Sequence, residues 1–145
     1  MIMIRVTVFE RQKMSLKYSK QRQAIWDFIE HRTDHPTADT VYSNVRKNMP
    51  NISLGTVYRN LVLLKDTGRL KALDVGDGVV HFDPCITPHD HFVCRCCGRI
   101  IDLPDTGTQE AVLGVQAATG GRVDERRSYY YGLCGSCVEN RGLMN

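Results

Sequence analysis

The sequence lacks an apolar run long enough to cross a membrane, because no stretch approaches the roughly 20 residues that a spanning helix needs. An export signal is also missing, since Arg5 and Thr7 interrupt the apolar residues at the start and no small-residue cleavage site follows. No internal repeat or low-complexity segment is present, so a repeat architecture is not expected. These absences favour a cytoplasmic protein that has no membrane partner.

A strong excess of one charge sign is missing as well, because the net charge is +3 over 145 residues. The charge is unevenly distributed, with 13 Lys and Arg against 9 Asp and Glu in residues 1–83, and 6 against 7 in residues 84–145. A basic first half permits contact with nucleic acid. At this length the chain forms one domain or two very small ones, and small domains often need a metal to supplement a modest core.

The first half of the sequence has the order of a winged helix-turn-helix. Residues 18–69 show helical spacing of apolar side chains, and Thr37 and Ser53 are suitable N-caps for the second and third helices. Two short β runs follow at 70–75 and 79–82, separated by the turn residues Gly76, Asp77 and Gly78. Three helices and a hairpin are therefore predicted.

The second half predicts a small α/β arrangement. Strands are expected at 91–94 and 100–103, a helix at 109–118, and a longer strand at 122–131. Two prolines, Pro84 and Pro88, mark a joint between the halves. The expected fold class is α+β.

The third helix is the candidate for reading DNA. Its apolar residues share one face, which leaves polar side chains on another face, where Arg can pair with guanine edges and hydroxyls can contact phosphates. The candidate DNA-binding residues are Lys20, Arg22, Ser53, Thr56, Tyr58, Arg59 and Asn60. An ordinary amphipathic helix with a solvated charged face would show the same pattern.

Two C-x-x-C pairs, Cys94 with Cys97 and Cys134 with Cys137, are the strongest chemical signal in the sequence. Four thiolates on two tight turns suit a tetrahedral structural Zn²⁺. A redox-active pair and an iron–sulfur cluster are the alternatives. Cys96 could replace Cys97 in the count, but a C-x-C pair lacks the usual turn geometry.

A second cluster offers nitrogen and oxygen donors. His89 and His91 would share one face of an extended segment, with Asp83 before them and Asp102 on the neighbouring predicted strand. Imidazole and carboxylate without sulfur suit Fe(II), Mn(II), Zn(II) or Co(II). His81 is ambiguous, because it alternates with Asp83 and could instead face solvent on the wing. A non-haem iron or zinc enzyme built on these residues is the rival class.

From about residue 18 to residue 138 the chain resembles the ferric uptake regulator family. The resemblance rests on the segments HPTAD at 35–39, TVYRNL at 56–61, HFD at 81–83, HDHFVC at 89–94, and YGLC at 131–134 followed by Cys137. The resemblance implies a homodimeric, metal-dependent repressor of palindromic double-stranded operator DNA. It also implies a winged-helix DNA-binding domain at 15–83, a hinge at 84–88, and a dimerisation and metal-binding domain at 89–145. Residues 1–14 would be an extension of unknown role.

The resemblance further implies a regulatory Fe²⁺ or Mn²⁺ ion. Its ligands would be His35, Asp83, His89, His91 and Asp102. Asp at positions 83 and 102 resembles the peroxide-sensing branch, in which bound Fe(II) reacts with hydrogen peroxide and a ligand histidine, here His35 or His89, is oxidised. Iron-responsive members tend to carry Glu at both positions, so an iron-responsive repressor is the alternative, and a zinc-uptake regulator is a third.

One departure from the family pattern is expected. Some members build a further metal site with a histidine ahead of the last strand, where this chain has Arg126 and Arg127. Because arginine cannot ligate a cation, a third site that uses Asp90 and Glu110 is not expected.

Overall fold

The computed structural model describes residues 17–142, so the expected extension at 1–14 lies outside the described residues, as do the last three residues of the range 89–145. The chain divides into two compact units, one up to Ile86 and the other from Thr87 onward. The α+β prediction is confirmed. No helix within residues 17–142 is long and apolar enough to cross a membrane.

The first unit contains three helices, α1 (Lys20–Ile29), α2 (Ala38–Val45) and α3 (Leu54–Asp66). Each begins at a hydroxyl cap, because Ser19, Thr37 and Ser53 each accept a hydrogen bond from the backbone N–H three residues later. The helices pack around one apolar cluster of fully or almost fully buried side chains. Its members are Ile25, Ile29, Val41, Val45, Ile52, Val57, Leu61, Leu64, Leu70 and Phe82.

The wing is an antiparallel hairpin of β1 (Lys71–Asp74) and β2 (Val80–Asp83). Its turn uses Gly76 and Gly78 at φ values of +85° and +87°, in the left-handed region that favours glycine. The segment before α2 runs along the other side of β2, through a bridge between Thr37 and His81 and a hydrogen bond from the Phe82 N–H to the Pro36 carbonyl. An antiparallel bridge at this register places residue 35 opposite residue 83.

The second unit is built on a three-stranded sheet of β3 (Asp90–Cys94), β4 (Ile100–Leu103) and β5 (Tyr129–Gly132). The central strand β3 pairs antiparallel with β4 and parallel with β5. Helix α4 (Gln109–Thr119) connects β4 to β5 and buries none of its side chains, and helix α5 (Gly135–Gly142) follows β5.

The prediction of a strand at 122–131 was wrong for its first seven residues. The strand begins at Tyr129, and residues 122–128 are irregular. Local ion pairs, Arg122 with Asp124 and Arg127 with Glu125, tie side chains two residues apart along this polar segment. Alternation of apolar residues, which holds a strand against a core, is missing here. Helix α5 was not predicted either, because its sequence reads as a cysteine turn.

Candidate functional site

The four paired cysteines converge within the second unit. One sulfur from each of Cys94, Cys97, Cys134 and Cys137 lies within 4.8 Å of all the others, and the Cys97 and Cys134 Sγ atoms are 3.7 Å apart. Strand β3 ends at Cys94, and the parallel neighbour β5 ends just before Cys134, so the sheet brings the two turns together. Cys96 is not one of the four.

Backbone amides favour a thiolate at this position before any metal is considered. Hydrogen bonds from the backbone N–H groups of Cys97, Cys134 and Cys96 lower the pKa of Cys94 to about 6. The contact with the Cys134 side chain, followed by that with Cys96, raises the pKa of Cys137. A negative charge is therefore preferred at Cys94, whereas the Cys137 thiol needs a cation beside it to ionise.

The arrangement fits zinc. A tetrahedral ion with Zn–S bonds of about 2.3 Å holds its sulfurs about 3.8 Å apart, which agrees with the 3.7 Å between Cys97 and Cys134. Cys94, Cys134 and Cys137 are buried and form a buried cluster, against which Phe92, Ile101 and Leu133 pack. Zinc bound here would therefore stabilise the fold of the second unit, whose described residues bury few aliphatic side chains.

A group of nitrogen and oxygen donors lies elsewhere in the second unit. His91 is paired with Asp102 across β3 and β4, and its Nε2 lies 3.5 Å from Asp102 Oδ1. His89 places its Nε2 3.1 Å from the same oxygen. Two ligands of one ion at bond lengths of about 2.1 Å are about 3.0 to 4.2 Å apart, so these three side chains fit a shared metal.

The orientation of His89 favours ligation through Nε2. Its Nδ1 lies 2.8 Å from the Thr87 carbonyl oxygen and donates to it, which leaves the Nε2 lone pair directed towards Asp102. Metal-binding histidines commonly have the second nitrogen held in this way. The His89 and His91 rings lie 4.4 Å apart between centroids, so the two imidazoles face the same side, as the alternate spacing predicts.

A second pair of such donors lies in the first unit. His35 and Asp83 are both about 1% exposed, and His35 Nε2 lies 4.0 Å from Asp83 Oδ2. The other Asp83 oxygen accepts a hydrogen bond from the Cys85 N–H at 2.8 Å. His35 has a φ of +52°, which is unusual for a residue other than glycine and is typical of functional positions.

Sequence spacing alone does not connect His35 to the other donors. It lies 48 positions before Asp83, and the two come together through the non-local bridge between Thr37 and His81. The local sequence gives one indication that His35 has an unusual backbone. It precedes a proline and the N-cap of α2, where a conformation outside the helical region is expected.

Asp90, between His89 and His91, is held by protein groups. Its carboxylate accepts from the Thr106 N–H at 2.9 Å and pairs with Arg126 Nη2 at 3.1 Å. Burial raises the pKa of Asp90, while the hydrogen bonds from Thr106 and the charge of Arg126 lower it, and the net shift is downward. Arg126 therefore supplies the positive charge that the buried Asp90 carboxylate needs, and the absence of a third metal there stays a prediction.

The predicted DNA-reading residues of α3 lie at or near its surface. Tyr58 and Arg59 are exposed, and Arg59 Nη2 donates to Thr56 Oγ1 at 3.2 Å. Ser53 is occupied as the helix cap, and the Asn60 side-chain amide donates to the Thr56 carbonyl at 2.9 Å. In α1, Lys20 is exposed and Arg22 is half-buried.

The model of the "Ferric uptake regulator family" matches residues 13–127 of this chain. The sequence is 33% identical over 126 residues to the peroxide operon regulator of Bacillus subtilis strain 168, covering 87% of each chain. It is 38% identical over 124 residues to the peroxide-responsive repressor PerR of Staphylococcus saprophyticus, covering 86% of this chain and 84% of the relative. The crystal structure of the Campylobacter jejuni peroxide stress regulator is similar at a TM-score of 0.69 and 30% identity, covering 81% of this chain and 88% of that one.

Proposed function

The chain belongs to the ferric uptake regulator family, and on this premise we propose that it is a metal-dependent transcriptional repressor that senses peroxide. The observation that carries the proposal is the convergence of His89, His91 and Asp102, in a unit that also contains a chemically different group of four cysteines. Two donor sets of different softness indicate two metals with different roles. Relatives of this chain are named regulators and repressors, so the enzyme alternative is wrong.

The regulatory metal would take its ligands from both units. His35 and Asp83 belong to the first unit, and His89, His91 and Asp102 to the second. Three imidazole nitrogens and two carboxylate oxygens, with no sulfur, suit Fe²⁺ or Mn²⁺. The four cysteines would hold the structural Zn²⁺.

Shared ligation would fix how the DNA-reading helices are presented. His35 and Asp83 belong to the unit that contains the winged helix, and the other three ligands belong to the unit that contains the sheet. Ligation of one ion by both sets would therefore select one relative orientation of two units that are joined through residues 84–88. In a homodimer that orientation sets the spacing of two α3 helices, which must match two half-sites of palindromic double-stranded DNA.

The carboxylates at 83 and 102 support the peroxide-sensing branch, together with 33–38% identity to relatives named for their response to peroxide. Bound Fe(II) would reduce hydrogen peroxide and generate an oxidant beside its ligands. His35 or His89 would gain an oxygen atom and lose its ability to ligate the metal. The protein would then lose the metal and dissociate from the operator. The alternative is a repressor of iron-uptake genes that responds to iron, and the peroxide experiment below distinguishes the two.

The homodimer is supported by apolar surface that the second unit leaves uncovered. Helix α4 exposes Leu113 and Val115 by just over half, and β5 exposes Tyr130 and Tyr131 at an outer strand of the sheet. Apolar side chains left exposed on two consecutive elements of one small unit are consistent with an interface to a second copy. A metal-bound thiol site is consistent with the reducing cytoplasm.

Fluorescence anisotropy with an AT-rich palindromic duplex tests the repressor function. We expect binding when Mn(II) is added, loss of binding with a chelator that leaves zinc in place, and weak binding to a shuffled duplex of the same composition. Binding that ignores Mn(II), or no binding at any salt concentration, would count against the repressor.

Peroxide separates the two branches of the family. We expect the Fe(II)-loaded protein to lose its DNA affinity after hydrogen peroxide and its His35 or His89 peptide to gain oxygen by mass spectrometry, while the Mn(II)-loaded protein keeps its affinity. Asp102→Glu should retain Mn(II)-dependent binding but respond less to peroxide. Unchanged affinity and unmodified peptides in the wild-type Fe(II) protein would favour the iron-responsive alternative.

A further inference from the structure

His81 is a histidine that the proposed metal site does not use, although it lies two residues before the ligand Asp83. Its side chain in β2 is only 12% exposed, and both ring nitrogens have partners. Nδ1 lies 2.9 Å from the backbone carbonyl oxygen of His35, and Nε2 lies 2.7 Å from Asp77 Oδ2. One imidazole therefore joins the turn of the wing to the residue that supplies a proposed metal ligand.

The position of His81 is fixed by backbone pairing on both sides. It is paired with Leu73 across the hairpin and bridges to Thr37 on the opposite side. The second oxygen of Asp77 accepts from the Val79 N–H at 3.2 Å, so the same carboxylate shapes the turn and holds the imidazole. A shift at the turn would therefore be transmitted to the ring, and a shift of the ring to the His35 carbonyl.

The His35 carbonyl is a sensitive place for such a contact. His35 has a left-handed backbone at φ +52°, a conformation in which a residue with a β-carbon needs support from its surroundings. The hydrogen bond from His81 fixes the orientation of the peptide group that follows His35. The same backbone conformation determines where the His35 ring points relative to Asp83.

We propose that His81 is a positioning residue that couples the wing to the regulatory metal. Its Nδ1 arm holds the backbone of His35 in the conformation that presents the imidazole for ligation. Its Nε2 arm holds the wing turn through Asp77. The inference rests on the proposed role of His35 as a ligand, and it adds that occupancy of the metal site and order in the wing favour each other, because coupling between two sites is reciprocal.

Two isosteric variants separate the two arms. The amide nitrogen of His81→Asn takes the place of Nδ1, so it keeps the donor to His35 and loses the arm to Asp77. The amide nitrogen of His81→Gln takes the place of Nε2, so it keeps the donor to Asp77 and loses the arm to His35. Asp77→Ala removes the wing arm from the other side, and His81→Phe removes both arms while keeping a ring. His31→Phe, at an 88% exposed side chain, is the matched control.

The measurements are the Mn(II) affinity of the zinc-loaded protein without DNA, by isothermal titration calorimetry, and the free Mn(II) concentration at half-maximal operator binding, by anisotropy. We expect His81→Gln and His81→Phe to weaken Mn(II) affinity about tenfold without DNA, the size expected for one lost hydrogen bond to a conformation-setting group. His81→Asn and Asp77→Ala should weaken Mn(II) affinity without DNA by a smaller factor than His81→Gln does, because the coupling between wing and metal is reciprocal, and they should need more Mn(II) for operator binding. His31→Phe should match the wild type in both.

The outcomes separate this inference from the proposed function. If the wild type binds Mn(II) and needs it for DNA, while His81→Gln and His81→Asn both match it in Mn(II) affinity, the positioning role is overturned and the repressor function stands. If the wild type shows no response to Mn(II), both fail together. A lower unfolding midpoint with unchanged Mn(II) affinity would reduce His81 to a structural residue. If His81→Phe fails to fold, the comparison of His81→Asn with His81→Gln still tests the positioning role.

Discussion

In the first unit, ten apolar side chains from the three helices, the wing and the segments between them meet in one buried cluster, whereas a buried cluster among the described residues of the second unit consists of Cys94, Cys134 and Cys137. Helix α4 buries none of its side chains. Burial of a large aliphatic side chain contributes about 1.5–3 kcal/mol, so the first unit has a conventional source of stability. The second unit has less apolar burial among its described residues, and on the proposed function zinc and a second copy of the chain would add to its stability.

The contrast divides the functions of the molecule. A winged helix that folds on its own core can keep its DNA-reading surface intact whether or not a regulatory metal is bound. If the proposed zinc holds the second unit, that unit would be an inert support for chemistry at the regulatory metal, since zinc has no redox chemistry of its own.

Removal of one thiolate should break the second unit most severely. Structural zinc contributes about 10–16 kcal/mol of apparent binding free energy in small zinc-dependent peptides, so we expect Cys94→Ser to be purified without zinc and without the dimer. Metal analysis and light scattering measure both. The exposed Cys85→Ser is the control and should keep zinc and dimer. A stable, zinc-free dimer of Cys94→Ser would remove the basis of the comparison.

A cavity in the core of the first unit should lower the stability of that unit and leave the zinc content of the second unit unchanged. Leu61 is fully buried in the core cluster, and a buried Leu→Ala change costs about 2–5 kcal/mol. We expect Leu61→Ala to lower the urea midpoint reported by the fluorescence of Trp26, the only tryptophan, while zinc content is unchanged. Leu113→Ala, at a half-exposed leucine of α4, should leave that midpoint in place. Coincident loss of zinc in Leu61→Ala would show that the two units unfold as one.

A change on the exposed face of α3 should affect neither core. Arg59 is exposed, and a lost bidentate contact to a base costs about 1–3 kcal/mol of DNA affinity. We therefore expect Arg59→Ala to weaken operator binding roughly 10- to 100-fold, with the same Mn(II) dependence, zinc content and Trp26 midpoint. Arg122→Ala, at an exposed arginine paired with Asp124, is the matched control. Equal weakening by both variants would indicate a general charge effect in place of base recognition.

Local signals carried much of the fold. Thr37 and Ser53 cap α2 and α3 as predicted, and the Gly76-Asp77-Gly78 turn forms the wing hairpin, because caps and turns depend on a few adjacent residues. The irregular segment at 122–128 and helix α5 could not be predicted in this way. The first lacks a periodic pattern, and the second begins within a cysteine pair.

The sites divide along the same line. The two C-x-x-C pairs and the pair His89 and His91 are evident from spacing, because the members of each pair are only two or three residues apart. The position of His35 depends on a bridge to a strand 44 residues further along, and the contact of His81 with the His35 carbonyl depends on the same bridge. Side chains that meet only through such pairing leave no periodic trace in the sequence.

The most direct measurement is a crystal structure of the zinc-loaded protein with Mn(II), in which anomalous scattering at two wavelengths distinguishes the two metals. We expect zinc at the four cysteines and a single manganese ligated by His35 and Asp83 of the first unit together with His89, His91 and Asp102 of the second. Manganese held by the side chains of one unit alone would contradict the account, because ligation could then not govern how the DNA-reading unit is presented.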